Sequence, residues 1–189
     1  MNTAMSATTT PMRSSNRRVW YRSEVYMNCM NYKPKIILGI DPGTAIIGFG
    51  LVESAGQALN MVACGCITNP KNTEQTQRLL HIYKELKKII KKYKPDVMAV
   101  EQLFFFKNVK TALTVAEARG VVVLAGAQAN LPLYECTPLQ VKQAVSAYGQ
   151  ASKLQVQKMV KLLLRLNEIP RPDDAADALA VAICGAHTL

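Results

Sequence analysis

The run Ile36-Ile37-Leu38-Gly39-Ile40-Asp41 limits the fold more than any other stretch of the chain. It is apolar almost throughout, as a strand covered on both faces must be, and Pro42-Gly43 ends it in a turn. Apolar runs at 45–52 and 59–67 follow across a turn at 54–56, which predicts an antiparallel meander of three strands. The period then changes. Leu79, Ile82, Tyr83, Leu86, Ile89, Ile90 and Tyr93 recur at three- and four-residue spacing, predicting a helix over 73–93 that Pro95 terminates. Its outer face carries Lys84, Lys87, Lys88, Lys91, Lys92 and Lys94, read as a solvated face whose lysines also complement the helix dipole. A strand is expected at 96–101, a long helix at 108–130, a short strand at 132–136, and helices at 138–148, 152–166 and 174–187, with Pro138 at the first helical position. The long helix has a small-residue stripe, Ala112, Ala116, Gly120 and Ala127, that suits close packing on the sheet or on a second subunit. The order predicts a mixed five-stranded α/β sheet with helices on its faces, in one domain over residues 35–189.

Residues 1–34 show neither period, and are read as an unstructured extension, a transit-like segment or a misassigned start, with Met30 the favoured start. The net charge of +10 suggests a polyanionic partner, and the excess persists after residue 34, with 18 basic against 12 acidic side chains. No apolar run is long enough to span a bilayer, which needs about 18 to 20 residues. Cysteines at 29, 64, 66, 136 and 184 include no CxxC pair and read as reduced thiols of a cytosolic protein. Only His81 and His187 offer imidazole, so any metal chemistry must use carboxylates, which favour magnesium or manganese.

Four acids stand where acids are costly. Asp41 and Glu101 close apolar strands, while Asp174 and Asp177 share one face at the start of an alanine-rich helix. The alanines would let that helix lie against the sheet, bringing Asp177 to the strand ends. Taken singly, Asp41 could cap a turn, and Asp173, Asp174 and Asp177 could cap a helix. Glu101 has no turn chemistry to perform. A cluster of four carboxylates would raise its own pKa values unless divalent cations neutralised it. Two magnesium ions about 4 Å apart would activate water and stabilise the leaving oxygen in phosphodiester hydrolysis.

The motifs ILGIDPGTAIIGFG around Asp41, VEQLF at 100–104, Lys107-Asn108, EARG at 117–120, VKQ at 141–143, GQASK at 149–153 and DDAADALA at 173–180 together resemble RuvC-type Holliday junction resolvases. The resemblance spans residues 36–187 and implies a ribonuclease H-like fold. It implies that Asp41, Glu101, Asp174 and Asp177 hold two Mg2+ ions, for which Mn2+ substitutes. It further implies that Lys142 and Lys153 lie near the scissile phosphate, that Phe104 stacks on an unpaired base, and that Lys107 contacts DNA. The expected protein is a cytoplasmic, nucleoid-associated homodimer. It would nick four-way junction DNA symmetrically in recombination and repair, alongside a branch-migration helicase complex of RuvA and RuvB type. On physical grounds either lysine could neutralise phosphate or be an ordinary surface residue. At least one of Phe104, Phe105 and Phe106 is expected to be exposed.

Three other readings remain: a non-catalytic junction or nucleic-acid binding module, a nuclease of the same fold acting on other substrates, and an actin-like or sugar-kinase ATPase. The last shares the GIDxGT turn but needs a second lobe and about twice the length.

Overall fold

The computed structural model describes residues 33–43, 45–103 and 109–188. Five strands and five helices follow in the order β1 (Lys35–Asp41), β2 (Ile46–Ala55), β3 (Ala58–Thr68), α1 (Gln75–Tyr93), β4 (Val97–Glu101), α2 (Val109–Gln128), β5 (Leu133–Cys136), α3 (Pro138–Ser146), α4 (Lys153–Leu163) and α5 (Asp173–Ala186). The sheet order is β3-β2-β1-β4-β5. β1, β2 and β3 pair antiparallel, and β4 and β5 continue the sheet parallel to β1.

The predicted turn at 54–56 falls slightly later. β2 continues through Ala55, Ser54 pairs with Leu59, and the two-residue connection is Gly56-Gln57. Gly56 has φ +65°, the backbone of a II′ hairpin turn, which suits the twist of the two strands it joins.

Strand alternation sorts the core into two layers. Leu38, Ile40, Ile47, Leu51, Met98 and Val100 face Ile82 and Leu86 of α1 and Ala118, Val122 and Ala125 of α2. Ile37, Val52 and Ala99 face the other way, toward α3, α4 and α5. By the same period of two, Gly39 and Asp41 share the face of Ile37, and Glu101 shares that of Ala99.

α5 is the central element of that second layer. Of its fourteen residues only Asp173, Asp174 and Asp177 are not buried. Its small side chains explain half of this, and the sheet supplies the rest. A Cβ on Gly39 would stand 2.3 Å from the Ala178 carbonyl oxygen and 2.4 Å from the Ala182 nitrogen. One on Gly48 would stand 2.0 Å from the Asp174 carbonyl oxygen, and one on Gly50 2.7 Å from the Leu179 nitrogen. The helix backbone therefore rests directly on strands β1 and β2.

The stripe of α2 does not lie on the sheet. Ala118, Val122 and Ala125 make that contact, whereas Gly120 and Ala127 are exposed and nothing stands within 4 Å of a Cβ built on Gly120. Leu113 and Leu124, 62% and 51% exposed, fall on the same side of the helix as Ala116, Gly120 and Ala127. The helix thus presents an apolar face that the described residues leave uncovered.

Candidate active site

Asp41 and Glu101 owe their meeting to sheet register. β1 and β4 run parallel with Ile40 opposite Val100, so the next residue of each strand carries its carboxylate to the same sheet edge, and strand parity turns both toward α5. The close seat of α5 then brings Asp177 in from above. Together with Lys142 and Lys153 these acids line one cleft of about 200 Å³, whose apolar walls come from α3, α4 and α5.

The two lysines are set by helix starts. Thr137 caps α3 in a reciprocal capping box with Gln140, with Pro138 in the first turn as the sequence predicts, and this orients Lys142 one turn further on. Ser152 and Gln155 form the same box at the start of α4, where Lys153 is the first helical residue. Its ammonium pairs with Asp177 Oδ2 at 2.8 Å. That pair joins two helices and leaves no signal in the sequence.

Electrostatics at the site are short of positive charge. Burial, then repulsion from Asp177 and Asp174, pushes the Asp41 carboxyl up to about 6 against the opposing pull of Lys153. Burial and the charges of Asp41 and Asp177 push Glu101 up to about 7, with Lys142 acting the other way. Asp177 is also raised, since burial outweighs its bond to Lys153, and that bond raises Lys153 in turn.

Asp174 holds a different place from Asp177. It does not line the cleft, yet its charge is felt at Asp41 and at the Cys66 thiol, which burial chiefly pushes up to about 11. Phe104 and Lys107 lie outside the described residues.

A metal ion is a question of chemistry and of geometry. The donors are hard carboxylate oxygens, and their upward pKa shifts mark a site that a divalent cation would relieve. Among the described residues no three acid, cysteine or histidine side chains converge tightly enough to clasp an ion, and Lys153 supplies part of the missing charge at Asp177. The donor set fits a hard divalent cation as an open, partly charge-compensated site. It does not form a closed cage.

Comparison with known proteins gives one consistent answer. The family model described as crossover junction endodeoxyribonuclease RuvC matches residues 37–185. The chain is 58% identical to the crossover junction endodeoxyribonuclease RuvC of Pelotomaculum thermopropionicum over 152 residues, 80% of this chain and 93% of that protein. It is 58% identical to that of Halothermothrix orenii over 149 residues, 79% of this chain and 90% of that protein. Among solved structures, Thermus thermophilus RuvC in complex with Holliday junction substrate superposes with a TM-score of 0.76 at 33% identity, covering 80% of this chain and 93% of that one. The yeast mitochondrial Holliday junction resolvase shares the fold alone, with a TM-score of 0.61 at 13% identity over 87% of this chain and 84% of that one.

Proposed function

Since this chain belongs to the family of RuvC crossover junction endodeoxyribonucleases, nucleases of ribonuclease H-like fold, we propose that it resolves four-way DNA junctions by paired, symmetric nicks in homologous recombination and repair. The observation that carries this reading is the cleft in which Asp41, Glu101 and Asp177 stand beside Lys142 and Lys153. Acids at a phosphate site weaken DNA binding unless cations accompany them, so a cleft of this make-up suits hydrolysis better than simple binding.

Asp41, Glu101, Asp174 and Asp177 are the side chains that would hold the metal, two Mg2+ ions, with Mn2+ as a substitute. When bound, such ions activate the attacking water and neutralise the leaving oxygen. The chain's own contribution is charge placement. Lys142 faces the cleft and favours the ionised form of Glu101. Lys153 does the same for Asp177, and both ammoniums can meet phosphate oxygens that the carboxylates do not. Phe104 stacks on an unpaired base at the junction centre and Lys107 contacts DNA. Residues 35–189 form the nuclease domain. The protein acts in the cytoplasm beside the nucleoid, with a branch-migration complex of RuvA and RuvB type. No helix of the described residues is long and apolar enough to cross a membrane.

Purified protein mixed with a mobile four-way junction or with linear duplex, in magnesium or EDTA, tests the reading. Paired nicks only in the magnesium junction sample support it. Equal cutting of linear duplex overturns it, and junction binding without nicks favours the non-catalytic module. Lys142→Ala is expected to slow single-turnover nicking by about 10- to 100-fold, the order of losing one preorganised charge contact. Junction affinity should stay within a few-fold, and a collapse of affinity would assign Lys142 to docking instead.

Symmetric nicking requires two clefts, and the uncovered face of α2 suits a homodimer contact. Leu113→Asp with Leu124→Asp is expected to give a folded monomer by sedimentation that loses paired nicking. A variant that remains dimeric would move the interface elsewhere.

A further inference from the structure

The lysine face of α1 is more than helix electrostatics requires. A dipole acts within about one turn of the helix end, which accounts for Lys91 and Lys92 in the last turn and Lys94 at the cap. It does not account for Lys84, Lys87 and Lys88. Glu85 is the one acid between Gln75 and Lys94, and it is committed to Lys88 at 2.6 Å. The pairs Lys84 and Lys88, Lys87 and Lys91, and Lys88 and Lys92 are each four residues apart, where like charges destabilise a helix. The folded chain therefore carries a repulsion that Glu85, through Lys88, offsets only in part.

The neighbourhood is arranged for an anion. Between α1 and α2 lies a groove of about 220 Å³ lined by Lys87, Lys91 and Gln128 over a floor of Ile90, Ala125 and Ala129. The Tyr83 hydroxyl donates to Gln128 Oε1, so the carboxamide acceptor is taken and its N–H groups are left to donate. Lys87 is steadied over the Tyr83 ring, 5.3 Å from its centre, and Lys92 over Tyr93 at 4.7 Å. Between Lys84 and Lys94 no large apolar side chain is exposed, and Leu80, 43% exposed one turn earlier, is the single large apolar side chain exposed on this helix, so the face is dominated by charge and not by the apolar cluster a protein partner would bury.

We propose that this lysine face, with the groove at its edge, is a second DNA-contacting surface that grips the phosphate backbone of a duplex arm. α1 packs on the sheet face opposite α5, and its lysines crowd the half that leads into the start of β4, away from the strand ends that carry Asp41 and Glu101. From Lys84 to Lys91 the helix advances about 10 Å, enough to meet two or three phosphates of one strand. The inference rests on the junction-resolving reading and adds a contact outside the cleft.

The test is the full chain carrying Lys84→Gln, Lys87→Gln, Lys88→Gln and Lys91→Gln together. Glutamine keeps helix propensity and length, and an unchanged melting temperature confirms the fold. Binding to a four-way junction with long arms is measured by anisotropy in EDTA across a salt series, and nicking is measured separately with magnesium at saturating protein. Affinity is expected to fall about tenfold or more near 0.1 M salt. The slope of log K against log salt should shrink by about 2 to 3, since each lost phosphate contact removes about 0.9. The single-turnover nicking rate of bound junction should stay at the wild-type value. Wild-type affinity and slope in the variant overturn the proposal. Wild-type protein that neither binds nor nicks the junction overturns the underlying function instead, so the two failures are distinct.

Discussion

Asp41→Asn is expected to lower junction nicking by about a thousand-fold or more, the scale of removing a preorganised charged group at the reacting phosphate, and at the same time to make the metal-free protein more stable at pH 8. The second half follows from the raised pKa. Asp41 titrates at about 6 in the fold against 3.8 for the free side chain, and Glu101 at about 7 against 4.5. A carboxyl whose folded pKa is raised stabilises the fold fully below its unfolded pKa, and that stability disappears as pH climbs through the folded value. Metal-free wild type should thus weaken between about pH 4 and pH 7. Asparagine mimics the protonated acid and escapes the loss. One pKa unit corresponds to about 1.4 kcal/mol, so the gain at pH 8 is at most about 3 kcal/mol, less whatever the coupled Asp177 recovers. For a domain of this size that ceiling is roughly 6 to 12 °C in melting temperature. Melting curves in EDTA from pH 3.5 to pH 8 check it: the variants should nearly coincide at the acid end, below the unfolded pKa, and separate progressively as pH rises through the folded value. Magnesium should raise the wild-type melting temperature and leave Asp41→Asn little changed. Equal stability at pH 8 in EDTA would show that the carboxylates are not under strain.

Such a cost at a cleft explains why part of the site is readable from sequence. Asp41 and Glu101 stand out because each interrupts an apolar strand, and parallel pairing with Ile40 opposite Val100 is all that is needed to bring them together. Asp177 is legible through the alanines that follow it. The separate position of Asp174 is not. Three residues advance a helix by about 4.5 Å, so two acids on one face need not reach one cleft, and only the seat of α5 decides which does. The Lys153–Asp177 pair depends on how α4 and α5 pack, which no local spacing records. The stripe of α2 was ambiguous for another reason. Small residues mark close approach of any backbone, and here the core contact is made instead by Ala118, Val122 and Ala125, nearly half a turn away on the opposite side of the helix.

The sheet side of the α5 contact, at Gly39, Gly48 and Gly50, emerges only from the structure, and it supports the other large expected effect. Gly39→Ala should destabilise the protein by about 3 kcal/mol or more, beyond ordinary overpacking, because its Cβ meets main chain that no rotamer change can move. With the Ala178 oxygen 2.3 Å and the Ala182 nitrogen 2.4 Å from the new atom, α5 must retreat by about 1 Å to restore normal contact. The retreat opens the layer that buries Leu179, Ala182 and Ile183, and it carries Asp177 away from Asp41 and Glu101. A misplacement of that size typically costs about a hundredfold in rate, so whatever protein still folds should nick poorly even at low temperature and saturating magnesium. Gly56→Ala is the matched control. Its Cβ would meet nothing within 4 Å, and the penalty is limited to a left-handed backbone at φ +65°, about 1 kcal/mol, at a hairpin far from the cleft. Urea denaturation of both variants, with single-turnover nicking below their midpoints, separates the two effects. A Gly39→Ala protein as stable as Gly56→Ala would mean that α5 does not rest on the β1 backbone, and the geometry that brings Asp177 to the cleft would have to be redrawn.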